Sequence, residues 1–164
     1  MKNLYDKSLK EKDSYKKGLL FEDFVVSFFA GIEGFKVVER RLITRGTDLD
    51  VVILNNRSDE PFRSLGSIIV VQAKNYNEDI NENVVIEAVE KQGTLYGKLG
   101  NTVILAVTSR LNDNARIKVR EVNKEEKVLL IPIEKDDWER LWKEDISCEE
   151  LFKDIIIELP RKYR

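Results

Sequence analysis

The sequence predicts an α/β fold in which a helix leads into three strands and then into alternating helices and strands. This αβββαβ core would carry a central mixed sheet flanked by helices, with a helical extension at the carboxyl end. Three observations support it. The runs Asp48–Leu54 and Ile68–Lys74 are rich in β-branched residues and too short for helices, so each reads as a buried strand. Only thirteen residues lie between them, and with 56–66 as the connection the two strands form a hairpin. Helical periodicity appears before the first strands and again between the later ones.

In chain order, residues 1–14 mix Lys, Asp, Glu and Ser without apolar periodicity and form a loose arm or a short first helix. A helix runs from Tyr15 to about Ala30, closed by Gly31 and Gly34. Its apolar residues leave a narrow polar window holding Lys16, Asp23 and Ser27. Glu22 falls outside that window, between Val26 and Phe29, on the side that should face the core. It either pairs with a basic neighbour or is a carboxylate aimed at the sheet, and its position favours the second. Gly18, one turn earlier, would let a strand or substrate approach closely.

Phe35–Ile43 is the first strand, and 44–47 is a turn into the Asp50 strand. Arg40, Arg41 and Arg45 form a basic cluster there, either a phosphate contact or a solvated turn. After Lys74 a polar loop precedes a helix from about Glu82 to Lys98, on which Gln92 and Tyr96 share a face. Thr102–Thr108 is a further buried strand. A helix capped by Asn112 or Asp113 follows, and then the strand Val128–Ile133, whose proline fits a strand end or edge. From Asp136 onward Trp138, Leu141, Trp142, Leu151, Phe152, Ile155 and Ile156 recur at helical spacing, for core packing or a dimer contact. One domain spans 1–164, with a core of about 15–133 and a helical tail at 136–164.

Side chains alternate along a strand, so Asp48 and Asp50 share one face of the second strand, and Gln72 and Lys74 share one face of the third. Pairing Leu54 with Ile68 places Asp50 opposite Gln72. A carboxylate, an amide oxygen and an ammonium then converge at one end of the sheet, a set able to bind a hard metal ion beside a phosphate.

The chain contains no histidine and one cysteine. That excludes Ser-His-Asp and Cys-His catalysis and ordinary zinc sites. What remains is carboxylate, amide, Lys and Tyr chemistry, for which Mg²⁺ or Mn²⁺ is the readily held ion. Cys148 cannot form an internal disulfide and suits a reducing cytoplasm. No segment approaches membrane-spanning length, and a net charge of -2 requires any nucleic-acid contact to be a local patch.

The ordered set Gly18-x-x-Phe21-Glu22, Gly34-Phe35, Gly46-Thr47-Asp48-Leu49-Asp50, Val71-Gln72-Ala73-Lys74-Asn75-Tyr76 and Val107-Thr108-Ser109 resembles the PD-(D/E)xK restriction-endonuclease-like superfamily, and within it the Mrr-like endonucleases. The resemblance covers roughly 18–133. It implies a restriction-endonuclease-like fold and a metal-dependent DNA endonuclease. Asp50, Gln72, Lys74 and Glu22 would be catalytic, and Glu22, Asp50, Gln72 and the Ala73 carbonyl would hold Mg²⁺ or Mn²⁺. Arg45, Tyr76, Gln92 and Tyr96 would position the substrate. Gln92-x-x-x-Tyr96 also resembles a RecB-family motif, which keeps a RecB-like nuclease or a Holliday-junction resolvase as alternatives. Gln72 departs from the usual acid, so Glu22 must bring the second negative charge. The same departure supports a non-catalytic nucleic-acid-binding domain as a further alternative. DNA is the expected partner. Cutting both strands usually needs two sites, so a homodimer is one expected form.

Overall fold

The computed structural model describes residues 1–44, 47–95 and 100–163, without the side chains of Glu39, 41–50 and 93–95. Two helices come first, α1 (Lys2–Lys10) and α2 (Ser14–Ala30), so the amino-terminal segment is a helix and not an arm. Then come β1 (Phe35–Thr44), β2 (Thr47–Asn55), a short 3₁₀ turn at Phe62–Leu65 and β3 (Ile68–Lys74). The chain continues through α3 (Glu82–Leu95), β4 (Thr102–Val107), α4 (Asp113–Lys124), β5 (Leu129–Ile133), α5 (Lys135–Lys143) and α6 (Cys148–Lys162).

The strands form one mixed sheet in the order β1-β2-β3-β4-β5. The first three are antiparallel neighbours, while β3, β4 and β5 run parallel. This follows from the connections, since a short loop can return the chain antiparallel but a parallel neighbour needs a crossover. Leu54 pairs with Ile68 as expected, and the described ladder runs on to Val51 opposite Val71. Asp50 and Gln72 are the next residues along the two strands.

Cross-strand partners share a face, and the pairs Arg40–Val51 and Val51–Val71 therefore put Arg40 on the face of Val71. Gln72 and Lys74 occupy the other face. Glu22 of α2 touches Arg40, and Glu87 of α3 lies beside Lys74, so α2 and α3 cover opposite faces of the sheet.

The centre of the core is Trp138 on α5. Its ring meets Phe21, Phe24 and Phe28 of α2 edge-on at 6.3, 5.1 and 5.1 Å, and its indole N–H donates to the Val107 carbonyl at 2.8 Å. Phe152 of α6 packs against Phe29 at 5.4 Å. Trp138 is thus a core residue, and the carboxyl-terminal helices complete the packing of α2. Gly34 closes the α2–β1 corner at φ +80°, where a Cβ would come within 2.7 Å of the Arg57 side chain.

Edge strand β5 is capped by a side chain. The Asn123 amide N–H donates to Leu130 O at 2.9 Å, and its oxygen accepts from Leu130 N at 2.7 Å. One asparagine satisfies the backbone groups a further strand would use, which blunts that edge against unwanted pairing.

Candidate active site

β3 delivers two of the expected residues. Gln72 is 1% exposed, and Lys74, two residues on, emerges on the same face at the strand end. The Lys74 ammonium stands 3.8 Å from the Glu87 carboxylate, which is itself held at 2.8 Å by Lys91. The Lys91 hydrogen bond, and then the charge of Lys74, keep the Glu87 carboxyl below its ordinary range despite some desolvation. Glu87 escaped sequence reasoning. Its spacing of four from Lys91 was the available signal, but a helix pair of that kind is usually a solvated one.

Glu22 is buried, at 6% exposure, on the α2 side of the sheet. Arg40 Nη2 lies 3.3 Å from its carboxylate and also binds Asp23. Asp23 first, and Glu22 after it, hold the Arg40 guanidinium above its ordinary pKa. Glu22 and Lys74 therefore stand on different faces, each with an opposite charge beside it. Gly18 lies in open space, with no described atom within 4 Å of a Cβ placed there, so it does not admit a strand.

The side chains of Asp48 and Asp50 lie outside the described residues, as do Arg45 and Tyr96. Among the described residues no three His, Cys, Asp or Glu side chains gather closely enough to hold a metal ion. The metal-ligating atoms that Glu22, Gln72 and the Ala73 carbonyl could offer are oxygens, which fits Mg²⁺ or Mn²⁺ and no softer ion.

Gln92 corrects the expectation of a substrate contact. It is buried, and its amide donates to the Gly100 carbonyl, tying α3 to the approach to β4. Lys74 is opposite Val107, at the far end of that strand. Seven residues of extended chain separate Gly100 from Val107, on the order of 20 Å. Gln92 thus braces the opposite end of the sheet and cannot share a phosphate with Lys74.

Beyond Lys74, Asn75 organises the loop. Its amide N–H groups donate to the carbonyls of Ser8 and Lys17 at 3.0 and 3.1 Å, and its oxygen accepts from the Thr108 hydroxyl at 2.9 Å. α1, α2, β3 and β4 therefore meet at one side chain. Tyr76, next in the chain, projects outward.

Comparison with known proteins bears on this arrangement. A family model described as restriction endonuclease, Mrr_cat, matches residues 17–136. A solved structure described as a repair endonuclease from Pyrococcus abyssi is similar at 20% identity and a TM-score of 0.43. The similarity covers 77% of this chain and 48% of that one, so this chain spans about half its length. No curated protein matches the sequence.

Proposed function

The chain belongs to the Mrr_cat restriction endonuclease family, and from that premise we propose that it is a metal-dependent endonuclease hydrolysing DNA phosphodiester bonds. The observation that carries this reading is the end of β3. There a buried Gln72 and the partly exposed Lys74 share one face, beside the β2 strand that bears Asp50.

Asp50, Gln72 and the Ala73 carbonyl would hold Mg²⁺ or Mn²⁺, and Glu22, beside Arg40 on the α2 face, would add the further negative charge that a neutral Gln72 lacks only by reaching round the strand end. When bound, the ion supplies Lewis-acid neutralisation of a phosphate and a water of lowered pKa. Lys74 stabilises the charge that builds on the phosphate oxygens. Glu87 holds the Lys74 ammonium toward α3 until a phosphate competes for it. Arg45 and Tyr76 would contact the substrate.

Cleavage assays on linear, supercoiled and branched DNA with Mg²⁺ or Mn²⁺ test the proposal and show which DNA form is preferred. Wild type should cut, while Asp50→Ala and Lys74→Ala should lose orders of magnitude in rate and keep the fold. Equal cleavage by all three proteins would end the reading. Gln72 in place of an acid favours a second reading, a domain that binds nucleic acid without cutting it. Binding of DNA by wild type with no cleavage under either ion would select that one.

A further inference from the structure

Two residues past Lys74 the structure presents a half-exposed aromatic side chain. Tyr76 is 45% exposed, and its ring makes no ring contact among the described residues. Its backbone is held all the same, because the single Thr108 hydroxyl proton is shared between Asn75 Oδ1 at 2.9 Å and the Tyr76 carbonyl at 3.2 Å, and the Asn75 amide is tied to Ser8 and Lys17. Exposed tyrosines on mobile loops are ordinary. One held rigidly beside the proposed scissile phosphate, between two cavities, is a different object.

The larger cavity, about 880 Å³, lies between the α1–α2 connection and the loop after β3. The smaller, about 400 Å³, lies over the ends of β3 and β4 beside Thr108 and Arg110. Tyr76 and Asn77 wall both. The charges in the larger cavity are of both signs, with Lys10, Lys12 and Lys17 facing Glu11, Glu78 and Asp79. A groove built to track phosphates would be of one sign and strongly salt-dependent. A mixed lining around an exposed ring suits a flat, largely neutral ligand.

Building on the nuclease reading, we infer that Tyr76 is a stacking platform for an unpaired base of the nucleic acid next to the cleavage site. The base lies against the ring, and the amide of Asn77 and the cavity wall take up its edge. Bases inside an intact duplex already stack on their neighbours and cannot reach the ring, so the partner is a single-stranded or splayed nucleotide. Base–aromatic stacking of this kind is tolerant of sequence.

The test is fluorescence-anisotropy binding with Ca²⁺ in place of Mg²⁺, using a blunt duplex and the same duplex with a short single-stranded extension at either end. Wild type should bind the extended duplex more tightly. Tyr76→Ala should lose about tenfold on the extended duplex and distinctly less on the blunt one, while Tyr76→Phe, which keeps the ring, should match wild type. Full affinity of Tyr76→Ala for the extended duplex overturns the inference. So do equal losses on both duplexes, or Tyr76→Phe failing as Tyr76→Ala does. Wild type binding neither duplex removes the nuclease reading and this inference together. Normal binding with the wrong Tyr76 pattern removes only the inference.

Discussion

Lys74 of β3 and Glu87 of α3 face each other at 3.8 Å, and Lys91 anchors the carboxylate from one helical turn away. A flexible ammonium at a strand end has many rotamers, and an anchored carboxylate narrows them before substrate arrives. Glu87→Gln should therefore lower the cleavage rate about tenfold with KM little changed, a loss of orientation and not of binding. Made on top of Lys74→Ala, the same substitution should cost nothing more, because residues acting as a unit are not additive. Steady-state kinetics on the four proteins of this cycle checks it, and additive losses would separate Glu87 from Lys74.

Arg40 and a metal ion would compete for Glu22. The guanidinium now takes the electrostatic place next to that buried carboxylate, sharing it with Asp23. Removing the cation takes away one partner of Glu22 and lowers repulsion toward a divalent ion. Arg40→Ala should bind Mg²⁺ several-fold more tightly, on the order of 1 kcal/mol, and Glu22→Gln should bind it more weakly. Isothermal calorimetry without DNA measures both. Weaker binding by Arg40→Ala would place the ion away from Glu22.

Much of this arrangement was legible in the sequence. The β2–β3 register followed from taking 56–66 as the hairpin connection, which pairs Leu54 with Ile68. Glu22 was found by its angular position, since one carboxylate among phenylalanines on a helix face has few solvent-facing options. Contacts between elements distant in sequence were not legible. Nothing local to Asn75 says that it bridges Ser8, Lys17 and Thr108, and nothing local to Gln92 says that Gly100 takes its amide. A glutamine and a tyrosine four apart share a helix face, yet that spacing does not tell which end of the sheet the face meets.

Acid stability should carry a signature of the Arg57 corner. Hydrogen bonding to Arg57 pulls the Asp59 carboxyl down from 3.8 to about 2. A carboxylate whose folded-state value is lowered stabilises fully above its unfolded value, and that contribution disappears as pH falls through the folded one. Asp59 therefore helps above pH 3.8 and loses its effect on the way down to about 2. Asp59→Asn should flatten this part of the acid limb in urea denaturation measured across that window. An unchanged limb would mean that the pair is fully screened at the surface.

The Asn123 clamp on β5 predicts a different kind of loss. Asn123→Ala would leave the Leu130 N–H and carbonyl without their partner at a buried residue of the edge strand, costing about 1–2 kcal/mol. Asn123→Asp should lose more than half of this, because a carboxylate can accept from Leu130 N but repels Leu130 O. Urea midpoints with an unchanged slope check the stability. The alanine variant should also associate at high concentration, since its strand edge is uncovered. A midpoint equal to wild type would show that water replaces the side chain at no cost.

The family match ends at 136, two residues before the side chain on which the core closes. Trp138 fills the space between Phe21, Phe24 and Phe28 and satisfies the Val107 carbonyl, so the segment after the matched region is a structural part of the domain. Trp138→Ala should cost about 3–5 kcal/mol, a large share of the 5–15 typical of a domain. Removing 136–164 takes away Phe152 and Leu151 as well and exposes the aromatic face of α2. The shortened chain should therefore lack a cooperative thermal transition and bind a hydrophobic dye, while Trp138→Phe should stay folded with a lowered Tm. A shortened chain that melts cooperatively near the wild-type temperature would mean that the sheet and α2 hold together without their carboxyl-terminal cover.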